Sequence, residues 1–380
     1  MNNMKPIIKW AGGKEKELPY IKENLPKSIN NYIEPFVGGG SVYFSMNIRN
    51  SFINDKSIEL INLYKCIKNN DIDFYNKLND IYKNWRLLEK VVSNNQKELF
   101  DIYKNYCKQS DKSTNSKSLK DDLKKTISTF VEKHSKEFNG ALTDEFTFGT
   151  NNFIKEINRN LISKMSRMHK IEKEKGKLPE KDTIDNFECA FKSAFYMHLR
   201  FLYNNQERFS INTSFYEAIF YFIREYCYAS MFRYNKDGKF NVPYGGISYN
   251  RKEFIRKIEY ISSKDIQEYM KYTNIYDKDF EVFLKEIKPK KNDFIFVDPP
   301  YDTEFSTYAK NEFDKKDQIR LADCLSKTNA NVMIIIKNTD FIYDLYKKRG
   351  FNIKSFDKKY LVSFQNRNDK NVEHLLITNY

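Results

Sequence analysis

Two kinds of apolar pattern divide this chain. Near both ends, short uninterrupted runs of β-branched and aromatic residues stand between turn signals. Tyr32–Glu34 gives way to Pro35 and to Gly38, Gly39 and Gly40. Phe52–Asn54 stops at Asp55, and Phe294–Val297 stops at Asp298 and two prolines. Asn331–Asn338 and the tail from Ile353 through Leu375–Thr378 have the same character. Runs this short and this apolar predict strands buried on both faces. Between roughly 57 and 230, apolar residues recur instead at helical spacing, as in Ala190–Tyr203. Their first meaning is core packing of a mainly helical segment.

Local punctuation refines this outline. Phe36–Gly40 predicts a tight turn and Ser41 the start of a helix. Ser110–Ser118 is polar and of low complexity, which predicts a loop, and Lys170–Asp182 is a charged, exposed stretch. Phe232–Tyr244 places Asp237-Gly238 between two short aromatic-rich runs, a hairpin signal. Strands alternating with helices at both ends predict one α/β sheet built from residues 1–65 and 285–380. Residues 66–284 then form an inserted, mainly helical domain carrying a hairpin at 232–244.

Composition adds bounds. The chain has 380 residues, enough for one large or two ordinary domains. A net charge of +14, with 27 Tyr and 31 Phe, suits a polyanion whose bases can stack. An A+T-rich genome produces the same excess of Lys, Asn, Ile and Tyr, so charge alone selects no partner. Cys66, Cys107, Cys189, Cys227 and Cys324 are far apart and form no CxxC. They predict buried thiols in a reducing compartment rather than a disulfide frame or zinc motif. His134, His169, His198 and His374 form no HExxH, so neither a metal nor a histidine base is expected. No apolar run approaches membrane-spanning length, which predicts a cytoplasmic protein.

The strand ends carry the chemistry. Glu34-Pro-Phe-Val-Gly-Gly-Gly-Ser41 lacks the GK[ST] ending of a phosphate-binding P-loop. Asp55 closes the next strand, where an acid commonly accepts hydrogen bonds from ribose hydroxyls. Together they indicate a small ribose-bearing ligand. Asp298-Pro-Pro-Tyr301 presents a carboxylate, a rigid carbonyl and an aromatic face. The amino nitrogen of adenine is a poor nucleophile because its lone pair is delocalised into the ring. Hydrogen-bond acceptors on its two hydrogens favour a tetrahedral nitrogen and free that lone pair for a methyl acceptor role. A base treated so must leave the duplex.

In chain order, the sequence carries K-W-A-G-G-K (9–14), E-P-F-V-G-G-G-S (34–41), D-K (55–56), F-R-Y-N-K-D-G-K-F-N-V-P-Y (232–244), D-P-P-Y (298–301) and V-E-H-L-L-I-T-N-Y (372–380). This set resembles the Dam-like, D12-class DNA adenine N6-methyltransferases of the α motif order. The resemblance implies a Rossmann-like sheet that uses S-adenosylmethionine, with an inserted helical recognition domain bearing a β-hairpin. It implies a cofactor pocket of Trp10, Lys14, Glu34, Pro35, Phe36, Gly38, Gly40, Asp55 and Asp298, with Lys14 toward the methionine carboxylate. The catalytic set it implies is Asp298, Pro299, Pro300 and Tyr301. In the hairpin, Arg233 is the expected base reader, since its fork suits guanine O6 and N7. Asn235 and Pro243 add base or methyl contacts, and Lys236, Lys239 and Lys9 meet the DNA.

The implied partner is double-stranded DNA, with a separately encoded restriction endonuclease as a possible companion and a monomeric enzyme as the expected form. G-A-T-C is the family's commonest site. This chain departs from compact members in a longer helical region, within about 80–190, which puts that site in question here. Cytosine N4, adenine in RNA, and DNA binding without catalysis are the competing readings. Cytosine enzymes more often carry Ser where this chain has Asp298, and an intact D-P-P-Y argues against lost activity.

Overall fold

Phe294–Val297 is buried at every position, and the prolines that follow offer no N–H to extend a ladder. It is the central strand of a seven-stranded sheet in the computed structural model, which describes residues 4–112, 116–134, 137, 144–300, 313–359 and 371–380. The strands are β1 Tyr32–Glu34, β2 Ser51–Asn54, β3 Thr273–Tyr276, β4 Phe294–Val297, β5 Asn331–Lys337, β6 Asn352–Lys359 and β7 Asn371–Thr378. Their order is β3-β2-β1-β4-β5-β7-β6. The first five run parallel, and β7 lies antiparallel between β5 and β6. Tyr32 stands opposite Ser51 on one side and Phe294 on the other. The chain thus moves outward in opposite directions from the β1–β4 pair, which opens a crevice at the carboxyl ends of those strands.

Buried Ile33, Ile295, Val297, Val332 and Ile334 form one face of the sheet. Phe283, Leu321, Leu325 and Tyr346 close over it from helices Phe280–Ile287, Lys315–Ser326 and Asp340–Lys347.

The chain divides into two compact units. The first comprises residues 1–70, Phe232–Gly238 and Tyr260–Tyr380. The second comprises Asp71–Met231 and Lys239–Glu259. The expected division placed 66–284 together, but Thr273–Tyr276 pairs with Ser51–Asn54 as a sheet edge. Its polar Thr273 and Asn274 hide it from a search for apolar runs.

The second unit is helical, led by Ile72–Asn94, Gln96–Lys112, Ser116–Lys133, Thr150–Lys175, Glu180–Tyr203 and Thr213–Tyr226. Helix reaches into the loop expected at 110–118 from both sides, because the apolar spacing resumes at Leu119, Leu123 and Ile127. Residues 113–115 lie outside the described residues. Trp85, Phe195, Phe222 and Tyr226 form an aromatic core. Lys192 is wholly buried and pairs with Glu89 and Glu188, each at 2.6 Å. It also donates to the Asn250 carbonyl at 2.8 Å. Lone buried ammonium groups are costly, and this one is fully partnered.

At 232–244 a tight turn forms where the hairpin was expected. The Gly238 N–H donates to the Asn235 carbonyl at 2.9 Å, and Gly238 takes φ +70°. The Asn235 side chain also accepts from the Asp237 N–H at 3.0 Å. Within 232–244 only Tyr234, Phe240 and Tyr244 are single bridge residues, and Tyr244 bridges Cys227 outside the stretch, so no longer ladder flanks this turn. Asn204 binds both backbone polar groups of Phe240, at 2.8 and 2.9 Å, and takes over part of a ladder's work.

Candidate active site

The loop after β1 is shaped by close packing. Gly38 and Gly40 adopt φ +49° and +78°. A Cβ on Gly39 would meet the Ile8 carbonyl at 2.5 Å, and one on Gly40 would meet the Tyr64 hydroxyl at 2.5 Å. A larger residue at Gly39 would have to move the Ile8 backbone, and one at Gly40 would have to displace the Tyr64 and Phe44 rings and hold a positive φ. The Val37 N–H donates to the Asn54 carbonyl at 2.9 Å, which fixes the loop to the end of β2.

Asp55 extends beyond β2. Its Oδ2 accepts from the Gly38 N–H at 3.0 Å and its Oδ1 from the Ser57 N–H at 3.0 Å. Burial pushes its carboxyl above the usual range, against the opposing effect of these N–H bonds. Buried Asn54 donates to the Pro35 carbonyl at 3.0 Å and the Lys278 carbonyl at 2.9 Å. It also accepts from the Lys278 N–H at 2.8 Å. One amide therefore holds together the loops that follow β1, β2 and β3.

Glu34 ends β1 in a buried position and accepts from the Tyr32 hydroxyl at 2.7 Å. Burial pushes its carboxyl well above the usual range, and the negative charge of Asp298 pushes the same way. Asp298 forms an ion pair with Lys14, which is 2% exposed and also donates to the Gly12 carbonyl at 2.7 Å. Pro299 is buried and Pro300 exposed. Gln318, on the Lys315–Ser326 helix, donates to the Pro300 carbonyl at 3.2 Å and pins the platform.

These groups enclose a cavity of about 320 Å³ at the carboxyl ends of β1, β2 and β4. Its lining includes Trp10, Lys14, Glu34, Pro35, Phe36 and Gly38. Asp55, Asp298, Pro299 and Pro300 complete the residues expected there. The volume lies within the usual range for small-ligand sites. Gly40 is absent from the lining and packs against Tyr64 and Phe44 behind it, while Gly39 and Ser41 face the space. Tyr301 lies outside the described residues.

The opposite wall was not foreseen. Phe280 and Phe313 pack on Phe36 with ring centroids 5.6 Å away in both cases. Arg320 stacks over Phe280 at 4.4 Å and bonds to Asp279, Glu281 and Asp317. Burial pushes the Asp279 carboxyl up, but the Arg320 bonds and backbone N–H groups outweigh it and hold the acid below its usual range. A signal did exist. Asn274–Asp279 reads N-I-Y-D-K-D, close to F-I-N-D-K-S at 52–57. Both are strands that end in Asp-Lys.

Of the residues expected at DNA, Lys9, Arg233, Lys236, Lys239 and Pro243 are exposed, and Asn235 is half-buried. Phe232, beside Arg233 in sequence, packs on the cavity residue Trp10 with centroids 5.7 Å apart.

A family profile described as "D12 class N6 adenine-specific DNA methyltransferase" matches residues 10–362. The chain is 26% identical over 383 residues to a Type II methyltransferase, M.CviBI, of Paramecium bursaria Chlorella virus NC1A, covering 99% of this chain and 100% of the other. It is 28% identical over 396 residues to the Type II methyltransferase M.MjaIII of Methanocaldococcus jannaschii, covering 99% of each. A DNA adenine methylase of Vibrio cholerae is 23% identical over 385 residues, covering 99% of this chain and 96% of that protein.

Proposed function

The chain belongs to the D12 class of N6 adenine-specific DNA methyltransferases, and from that premise we propose how its residues divide the work. The reaction is site-specific methylation of adenine in DNA. S-adenosylmethionine is the methyl donor of this reading, and when bound it supplies an electrophilic methyl on a sulfonium. The cavity residues fit that group. Gly38 and Gly39 leave the backbone bare for close approach, Asp55 offers carboxylate oxygens to a ribose, and Phe36 with Phe280 gives an aromatic wall for a purine. Lys14 bears the positive charge expected beside a carboxylate.

Asp298 accepts a hydrogen bond from the adenine amino group, and the Pro299 carbonyl accepts from the second hydrogen. The nitrogen lone pair is then released from the ring for attack. Lys14 holds the Asp298 carboxylate in place, and Gln318 holds the carbonyl of Pro300. Tyr301 stacks on the base, which has been turned out of the duplex. Arg233 reads a base edge, Asn235 and Pro243 add contacts, and Lys9, Lys236 and Lys239 neutralise phosphates. In this reading the enzyme acts on double-stranded DNA in the cytoplasm, the monomer is the favoured form, and it serves either beside a separately encoded restriction endonuclease or as an orphan or phage enzyme.

One observation carries this reading: motifs far apart in sequence, including Trp10–Lys14, Glu34–Gly38, Asp55 and Asp298–Pro300, converge on one cavity. The test is transfer of a labelled methyl group from S-adenosylmethionine to duplex DNA, with the modified nucleoside identified. Wild type yields N6-methyladenine, and Asp298→Ala loses at least ~10²–10³ in rate while still binding duplex. N4-methylcytosine as the product, or an Asp298→Ala variant with undiminished rate, rejects the assignment.

A further inference from the structure

Away from the cavity, the helical unit gathers an unusual set of donor atoms. Cys107 and Asp111 lie four residues apart on one face of the Gln96–Lys112 helix. His169 and Glu172 lie three apart on the Thr150–Lys175 helix. The two helices meet at Tyr106, whose hydroxyl donates to Ser166 at 3.0 Å and whose ring packs edge-on to His169. At this contact a Cys107 sulfur, a His169 nitrogen and a Glu172 oxygen all lie within 4.8 Å of one another.

His169 makes the grouping more than a chance meeting of polar side chains. It is 7% exposed, and among the described residues its Nε2 is met only by the ion-pair approach of Asp111, not by a well-aligned hydrogen bond. Asp111 Oδ1 stands 3.3 Å from that nitrogen. Glu172 is oriented by two donors, the Tyr103 hydroxyl at 2.9 Å and the Leu178 N–H at 3.1 Å. Outer partners of this kind fix a carboxylate ligand.

We propose that Cys107, His169 and Glu172 bind a borderline-soft divalent cation, zinc in particular, with Asp111 or water as the fourth donor. Thiolate with imidazole favours zinc or cobalt over magnesium or calcium, which take oxygen shells. Tetrahedral zinc holds its ligand atoms about 3.5 Å apart, so the widest pair, within 4.8 Å here, closes by at most about 1.3 Å (4.8 − 3.5). Binding takes the His169 tautomer with Nε2 unprotonated. The Cys107 thiol gives its proton to solvent as the metal–sulfur bond forms. Burial pushes this thiol above its usual range, the Glu172 and Asp111 charges add to that, and Tyr103 and Lys173 oppose it. A neighbouring cation is what would make thiolate available there. Lys173 already pairs with Asp111 at 2.7 Å, which makes Asp111 the weakest of the donors. No CxxC or HExxH announces the site, because 62 residues separate Cys107 from His169 in sequence (169 − 107). The metal would clamp one helix to the other.

The full-length protein, stripped by a chelator, is titrated with Co²⁺ and Zn²⁺. The expected result is one equivalent bound, a near-ultraviolet thiolate-to-cobalt band, and a melting temperature raised by zinc. Cys324→Ser leaves all three unchanged. Cys107→Ser abolishes the band, and Cys107→Ser and His169→Asn each weaken zinc at least ~10-fold. His169→Asn keeps the thiol, so the test stands even where Cys107→Ser does not fold. The proposal is overturned by a wild type that binds no stoichiometric metal, by a band that survives Cys107→Ser, or by the same zinc-induced melting shift in every variant.

Discussion

At the scale of single residues, burial and partners decide what each polar group does. His198 is wholly buried, and its Nε2 lies 3.0 Å from the Phe146 carbonyl. Its Nδ1 has no hydrogen-bond partner among the described residues. Burial lowers its pKa from 6.5 to about 4. The unfolded chain therefore binds a proton here between those values while the folded chain does not. The contribution to stability is complete above pH 6.5 and is lost as pH falls toward 4, up to about 3 kcal/mol in all. Denaturant midpoints measured from pH 7 to pH 4 are expected to fall less steeply for His198→Gln than for wild type. Parallel curves would place the acid sensitivity elsewhere. The sequence identified His198 only as a histidine outside any motif. Its neutral state comes from neighbours distant in the chain.

At the scale of elements, strands were far more legible than the wall that faces them. β4 and β5 were recognisable because strands buried on both faces are apolar runs, and β1, β2 and β4 because proline or aspartate follows each at once. β3 escaped because an edge strand tolerates polar residues. With it went Asp279 and Phe280, on the cavity's far side. The residue that joins these elements is Asn54, whose amide serves three loops. Asn54→Ala takes this partner from the carbonyl of buried Pro35 and from the N–H and carbonyl of half-buried Lys278, and a loss of about 2–4 kcal/mol is expected, with weaker S-adenosylmethionine binding as the loops separate. Chemical denaturation and equilibrium binding measure both. A variant as stable as wild type would show that the amide is replaceable by water.

At the scale of the whole molecule, the chain carries a charge of +14, and Lys9, Arg233, Lys236 and Lys239 are exposed; in the proposed function these four serve the encounter with DNA. Arg233 and the lysines are expected to act differently. Arg233→Ala should lose about 1–3 kcal/mol of discrimination at one base pair, with S-adenosylmethionine affinity intact. Lys236→Ala should weaken all duplexes alike and reduce the slope of log affinity against log salt by about one. Binding of cognate and single-mismatch duplexes across a salt series separates the two. Identical profiles for the two variants would contradict the division of roles.

The chain alone determined its chemistry class and most of its sheet. Glu34–Gly39, Asp55 and Asp298–Pro300, which line one cavity, stand out in the sequence because each is a short local device: a turn rich in glycine, an acid at a strand's end, a strand stopped by proline. Tertiary structure decided the rest, since it concerned partners distant in sequence. It joined Lys14 to Asp298 across 284 residues, set β3 at the sheet edge beside β2, and withdrew Gly40 from the cavity to pack under Tyr64. It also brought Cys107 to His169 and Glu172. Spacing reveals what neighbours along the backbone can do together, whereas packing alone determines which distant side chains share a buried space and how their charges settle there.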